Sequence, residues 1–146
     1  MKARDVAEYL LQLSDTETND ITNLKLQKLV YYAQGFHLAM YDKPLFADPI
    51  EAWQYGPVVS ELYHAYKQNG SQIITPTNSY EFSDKFTKEQ EELLSEVNEV
   101  YGQFSGMKLM NMTHEERPWI EAIETKAQQI NPYTMQSYFK EQLIEE

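Results

Sequence analysis

The chain has no cysteine, which excludes disulfide frameworks, thiolate metal sites and cysteine nucleophiles. Histidine is nearly as scarce, with three residues in 146, and lysine plus arginine number 12 against 23 acidic residues. The formal charge of −11 repels phosphate backbones and anionic lipid, so direct nucleic-acid binding and membrane association are not expected. The same field would steer a basic protein partner inward. The charge is unevenly spread, with nine acids and six bases in residues 1–73 and fourteen and six in residues 74–146. No apolar run approaches membrane-spanning length. The opening stretch MKARDVAEYLLQL interrupts its apolar residues with Asp5 and Glu8 at helical rhythm, unlike a secretory leader. These features predict a soluble, cytoplasmic protein stabilised by packing alone. GxSxG, GxxxxGK and GxGxxG are all missing, so no nucleophile elbow or phosphate cradle is expected.

What is present is a large apolar fraction, 42%, with eleven tyrosines, enough buriable surface for one domain spanning residues 1–146. The pattern is mainly helical. Val6, Tyr9, Leu10 and Leu13 recur at helical spacing before the polar run SDTETND at 14–20, which reads as a loop. Thr22 then caps a helix predicted from Asn23 to near Tyr41, halted by Asp42 and Pro44. One face of it carries Leu26, Leu29, Val30, Ala33, Phe36 and Met40, and the other Leu24, Tyr31, Gly35, Leu38 and Ala39. A helix apolar nearly all round, charged only at Lys25 and Lys28, belongs at the centre of a bundle. Gly35, unfavourable in a helix, predicts a second backbone passing close by.

Alternation through Ile50, Ala52, Trp53 and Tyr55 predicts a short strand, after which Gly56-Pro57 reads as a cap and first turn of a helix ending at Asn69-Gly70. Residues 71–86 read as an exposed connection with a candidate short strand at Gln72–Thr75. TKEQ at 87–90 is a capping box opening a helix with Leu93, Leu94, Val97, Val100, Tyr101 and Phe104 on its apolar face. Ser105-Gly106, Pro118 and Asn131-Pro132 each open a further helix, the last with Met135, Tyr138, Phe139 and Leu143 at helical spacing. The sum is six or seven helices around a central apolar one, with a minor β element.

Catalytic groupings are weak. His37 falls on the apolar face of the central helix and reads as a packed residue. Glu61 and His64 form one Glu-x-x-His, but di-iron bundles need two copies and none follows. His114 in HEER does not complete a zinc-protease motif. Glu92, Glu96 and Glu99 read as a solvated helix face. No cofactor or metal is expected, and a protein without catalytic activity is the first reading. Trp53, Tyr55, Tyr63, Tyr66, Trp119 and Phe139 divide between core and binding surface, because tyrosine and tryptophan serve both uses.

Four motifs in order, KLQKL with the following YYAQ, PLF, EAWQYGPV, and Thr113-His114 with Pro118-Trp119, closely resemble the Panacea domain family, which includes SocA-like antitoxins and phage-associated GepA-like proteins. The resemblance spans roughly residues 5–140. It implies a small, mostly helical antitoxin from a bacterium or prophage, neutralising a cognate protein toxin by direct binding. The alternative implied is an adaptor that hands the toxin to a bacterial protease. The motif residues Lys25, Gln27, Lys28, Tyr31, Trp53, Tyr55, Gly56, Pro57, His114 and Trp119 are the expected partner-binding or motif-core positions. Tyr55-Gly56-Pro57 would form a rigid corner against the central helix, with its carbonyls satisfying Lys25, Gln27 and Lys28. The extra DNA-binding domain of many family members is not expected here.

Overall fold

The computed structural model describes residues 1–14, 19–77, 80–82 and 85–144. Seven α-helices lie among them: α1 (Ala3–Leu13), α2 (Asn23–Tyr41), α3 (Ser60–Ala65), α4 (Lys88–Tyr101), α5 (Gly106–Thr113), α6 (Arg117–Glu124) and α7 (Pro132–Ile144). A two-stranded hairpin, β1 (Glu51–Trp53) and β2 (Gly56–Val58), sits between α2 and α3.

Helix α2 is the pillar. Thr22 Oγ1 accepts from the Lys25 N–H at its start, and Asp42 ends it in the left-handed conformation with φ 58°. That turn is tied down from outside, since the Asp42 carboxylate accepts from Lys140 Nζ at 2.7 Å and Gln136 Nε2 at 2.8 Å. Between its ends, α2 packs against α1, α3, α4, α5, α7 and β2. Leu26, Leu29, Val30, Tyr31, Tyr32 and Ala33 are fully or almost fully enclosed. Each of the large apolar side chains among them is worth ~1.5–3 kcal/mol of transfer free energy. Met40, placed on the buried face by periodicity, is exposed, although α7 reaches past it to Asp42. Val100 in the last turn of α4 is exposed also.

Gly35 has a different cause from the one its sequence context suggests. The neighbour is a ring rather than a backbone: a Cβ on Gly35 would stand 2.2 Å from Cε2 of Phe139. Phe139 thereby sinks onto the α2 axis and meets Tyr31, Tyr32, Phe36 and Tyr138 edge-on, the geometry aromatic quadrupoles favour. Tyr101 stacks flat on Tyr32 at 4.0 Å, which locks α4 to the same cluster.

The acids that mark α1 as helical are not solvated. Glu8 is fully buried, accepting from the Thr77 N–H at 3.0 Å and from the hydroxyls of Tyr66 and Thr77. Asp5 accepts from Tyr80 Oη and from Lys85 Nζ. Two carboxylates of α1 therefore pin the connection at 71–77 and 80–82, where no strand forms among the described residues. A ladder-like bond runs there from the Ile74 N–H to the Ile21 carbonyl at 2.8 Å.

The hairpin corrects a second expectation. Gly56-Pro57 continues as strand, pairing Trp53 with Gly56 and Ala52 with Pro57, and α3 starts only at Ser60 with Val59 as its cap. The chain stays extended because Gln27 Oε1 captures the Val59 N–H at 2.9 Å. Proline is compatible with this edge strand because no ladder bond is asked of its nitrogen. The outer edge of β1 is covered by residues 128–130, with bonds from the Ala52 N–H to Gln128 and from the Ile130 N–H to Ile50.

Candidate functional site

The motif residues converge on the N-terminal half of α2, the hairpin and the α5–α6 junction. Gln54 and Tyr55 form the hairpin turn without positive φ, so the reversal is completed by Gly56 at φ +102°. Only glycine fits there on a second count: a Cβ would lie 2.8 Å from both Lys28 Cε and Thr113 Oγ1.

Beneath this glycine the polar side chains of α2 close the free edge of β2. Lys28 Nζ donates to the Pro57 carbonyl at 3.2 Å, while Gln27 accepts from Val59 and its Nε2 donates to Asn23 Oδ1 at 3.0 Å. Asn23 Nδ2 in turn reaches the Tyr63 carbonyl at 3.1 Å, holding α3 to α2. The expectation that corner carbonyls satisfy all three residues thus applies to Lys28 alone. Gln27 meets a backbone N–H, and Lys25 turns away to the Gly102 carbonyl and Asp20, both at 2.6 Å.

Across the hairpin, His114 stacks on Trp119 at 4.2 Å and its Nε2 lies 3.0 Å from the Gln54 carbonyl. Trp119 Nε1 donates to the Trp53 carbonyl at 2.8 Å. These two rings clamp the turn backbone, leaving the side chains of Trp53 and Tyr55 free of that role. Trp53 is half-buried, edge-on to Tyr63 at 5.0 Å, with Nε1 donating to Glu51 at 2.9 Å. Tyr55 is 57% exposed.

Tyr31 belongs to a separate buried cluster. Its hydroxyl and that of Tyr32 donate to the two oxygens of Glu116 at 3.0 and 2.7 Å. Burial pushes the Glu116 carboxyl up to about 7, outweighing the tyrosine hydrogen bonds that pull it down, and pushes both phenols well above their ordinary range. Burial likewise lowers the Lys28 amine to about 7. His37 is buried with Nδ1 2.7 Å from the Lys43 carbonyl, the packed role its position predicts. Glu61 and His64 are exposed on α3. Among the described residues no group of acids and histidines is arranged to hold a metal ion, and no helix is long and apolar enough to cross a membrane.

Beside the hairpin an open groove of about 640 Å³ runs between β1–β2, the first turn of α2 and the first turn of α5. Leu24, Trp53, Tyr55, Val58, Tyr63 and Met107 supply its apolar lining, with Asp20, Gln27 and Lys28 as polar members. Met107 is 60% exposed. The sequence gives little notice of it: Met107 reads as one more residue of a short helix, and its position follows from Ser105 capping α5 while Gly106 lets that turn approach the Lys25 backbone, where a Cβ would stand 3.1 Å from the Lys25 nitrogen. Glu116 is missed for a similar reason, since its acidic neighbour Glu115 and the helix start it caps both suggest a solvated residue.

The Antitoxin SocA-like, Panacea domain family model matches residues 26–120. Antitoxin SocA of Caulobacter vibrioides (strain NA1000 / CB15N) is 40% identical over 72 residues, covering 49% of this chain and 38% of that protein. The match therefore spans well under half of that relative's length. No solved structure matches the chain.

Proposed function

The chain belongs to the SocA-like Panacea domain family, and from that premise we propose that it is an antitoxin that neutralises a protein toxin by binding it directly through the groove beside the hairpin. The observation that carries this reading is that two exposed side chains, Tyr55 and Met107, line one mostly apolar groove. Large amphipathic side chains on a rigid support bind with little ordering cost, which is what an interface anchor requires. The hairpin supplies that support through Gly56, Lys28, His114 and Trp119. The net negative field accelerates encounter with a basic surface, while the groove contacts set the dissociation rate.

Co-expression with the protein encoded beside this gene tests the reading. The wild-type chain should restore growth and co-purify with its neighbour. The double variant Tyr55→Ala, Met107→Asp should keep its circular dichroism and melting temperature yet lose both. Full rescue by that variant would remove the groove from the account. The neighbour's half-life should be unchanged when the two are made together. A marked fall would favour delivery to a protease instead.

A further inference from the structure

We propose that the segment docking in this groove seats an arginine side chain against the aromatic wall of Trp53, Tyr55 and Tyr63, with its guanidinium reaching the carboxylate of Asp20. Such seating presupposes that the groove is the docking surface. Among the described residues two charged side chains line it, Asp20 and Lys28. Lys28 is fully buried and spends a donor on the Pro57 carbonyl, so it presents nothing to an entering group. Asp20 is the charge a partner can reach, with 59% of its side chain exposed. A carboxylate accepts at about four lone-pair sites, and Lys25 Nζ takes one of them at Oδ1, 2.6 Å away. Lys25 is itself buried, so it fixes the acid in place without adding a cation to the groove lining.

The wall beside Asp20 suits a cation. Trp53 and Tyr63 meet edge-on at 5.0 Å, Tyr55 is exposed, and the faces of such rings are negative. Trp53 Nε1 donates to Glu51 at 2.9 Å, and a carboxylate accepting from the indole N–H polarises the ring so that its face draws a cation more strongly. Asn23 Nδ2 holds the Tyr63 carbonyl at 3.1 Å, which ties the wall to the first turn of α2, three residues after Asp20. A planar guanidinium stacks on a ring and donates from its edge to a carboxylate at the same time, whereas a compact ammonium serves one of the two. The arginine stem is apolar and packs on lining such as Leu24 and Met107. The long-range field of a chain with net charge −11 then favours the same partner that the short-range contact holds.

Panning a phage-displayed random peptide library on the full chain provides the test. Tyr55→Ala with Met107→Ala removes apolar contact and adds no charge, so it marks the peptides that use the groove. Those peptides should carry an arginine at a fixed place between apolar residues. Groove-dependent peptides that are acidic, or apolar without arginine, would overturn the inference and leave the docking reading standing. Absence of any groove-dependent peptide would overturn both.

Calorimetric titration of the wild-type chain separates the contact from the general field. One selected peptide is compared with two analogues, the first with citrulline in place of the arginine, the second with that citrulline and an arginine moved to the peptide's end. The second analogue keeps the parent's net charge, and the parent should bind about tenfold more tightly than either. An analogue as tight as the parent would overturn the inference, since shape alone or net charge alone would then account for binding. Asp20→Asn retains an oxygen for Lys25, and with it the preference for arginine over citrulline should fall several-fold. An unchanged preference would overturn the contact with Asp20.

Discussion

Replacing Lys28 by methionine keeps the length of the side chain and removes its charge, which turns a structural observation into a pH profile. In the unfolded chain the amine holds its proton up to about pH 10.4; in the native protein burial brings it to about 7. Between those values the unfolded state binds more protons, so native stability rises with pH. At about 1.4 kcal/mol per pH unit the gain from pH 7 to 9.5 is roughly 3 kcal/mol. Lys28→Met has no such gain, so the stability difference between wild type and variant should change by that amount across the window. With a urea m-value of about 2 kcal/mol/M, the wild-type midpoint should move about 1.5 M further than the variant's. The buried tyrosines, whose phenols are raised by burial, lose stability only above about pH 10 and cancel in the difference. Parallel midpoints from pH 7 to 9.5 would show that Lys28 is solvated or ion-paired, and would refute both its burial and the reasoning built on it.

Glu116→Gln reports the opposite sign: the carboxyl, raised to about 7 from an ordinary 4.5, stabilises the native state below pH 4.5 and loses that contribution as pH rises through 7. Wild type should lose roughly 3 kcal/mol relative to Glu116→Gln between pH 4.5 and 7.5, and chemical denaturation at the two ends would measure it. Gly35→Ala drives a methyl into the Phe139 ring, 2.2 Å away, and should cost about 1–3 kcal/mol in thermal unfolding; Gly35→Ala with Phe139→Leu should recover part of that loss. A neutral Gly35→Ala would mean that α7 is not seated on α2.

The parts of the fold that the sequence reveals are those set by a single element. Helix α2 is legible because a side chain run such as Leu26-Leu29-Val30-Ala33 on one face and Tyr31-Leu38 on the other leaves no direction for solvent, and Thr22 and Asp42 mark its ends. The capping box at Thr87 and the start of α5 at Ser105 are local hydrogen-bond patterns and are equally plain. What periodicity cannot supply is which positions of a face its neighbours cover. Met40 and Val100 fall on apolar faces and still meet water, Met40 even though α7 reaches past it to Asp42.

The site is legible in membership and not in wiring. Gln27, Lys28, Gly56, Pro57, His114 and Trp119 gather around one hairpin, while Lys25, expected with them, turns away to Gly102 and Asp20. Pro57 reads as a helix start from its local context, and the tertiary bond from Val59 to Gln27 decides otherwise. Tyr31 lies in the core with Glu116 rather than at the hairpin, since a helix of this burial presents different faces to different neighbours. The groove itself depends on Met107, brought beside Tyr55 by a contact between α5 and α2 that no local pattern encodes.

Hydrogen–deuterium exchange on this chain, alone and in complex with the protein encoded beside its gene, tests the docking account most directly. Protection should appear at residues 53–63 and 105–108, while the exposed surface around Tyr133 at the start of α7 exchanges unchanged. Protection confined to the α7 surface, with the hairpin as open in the complex as in the free chain, would contradict it.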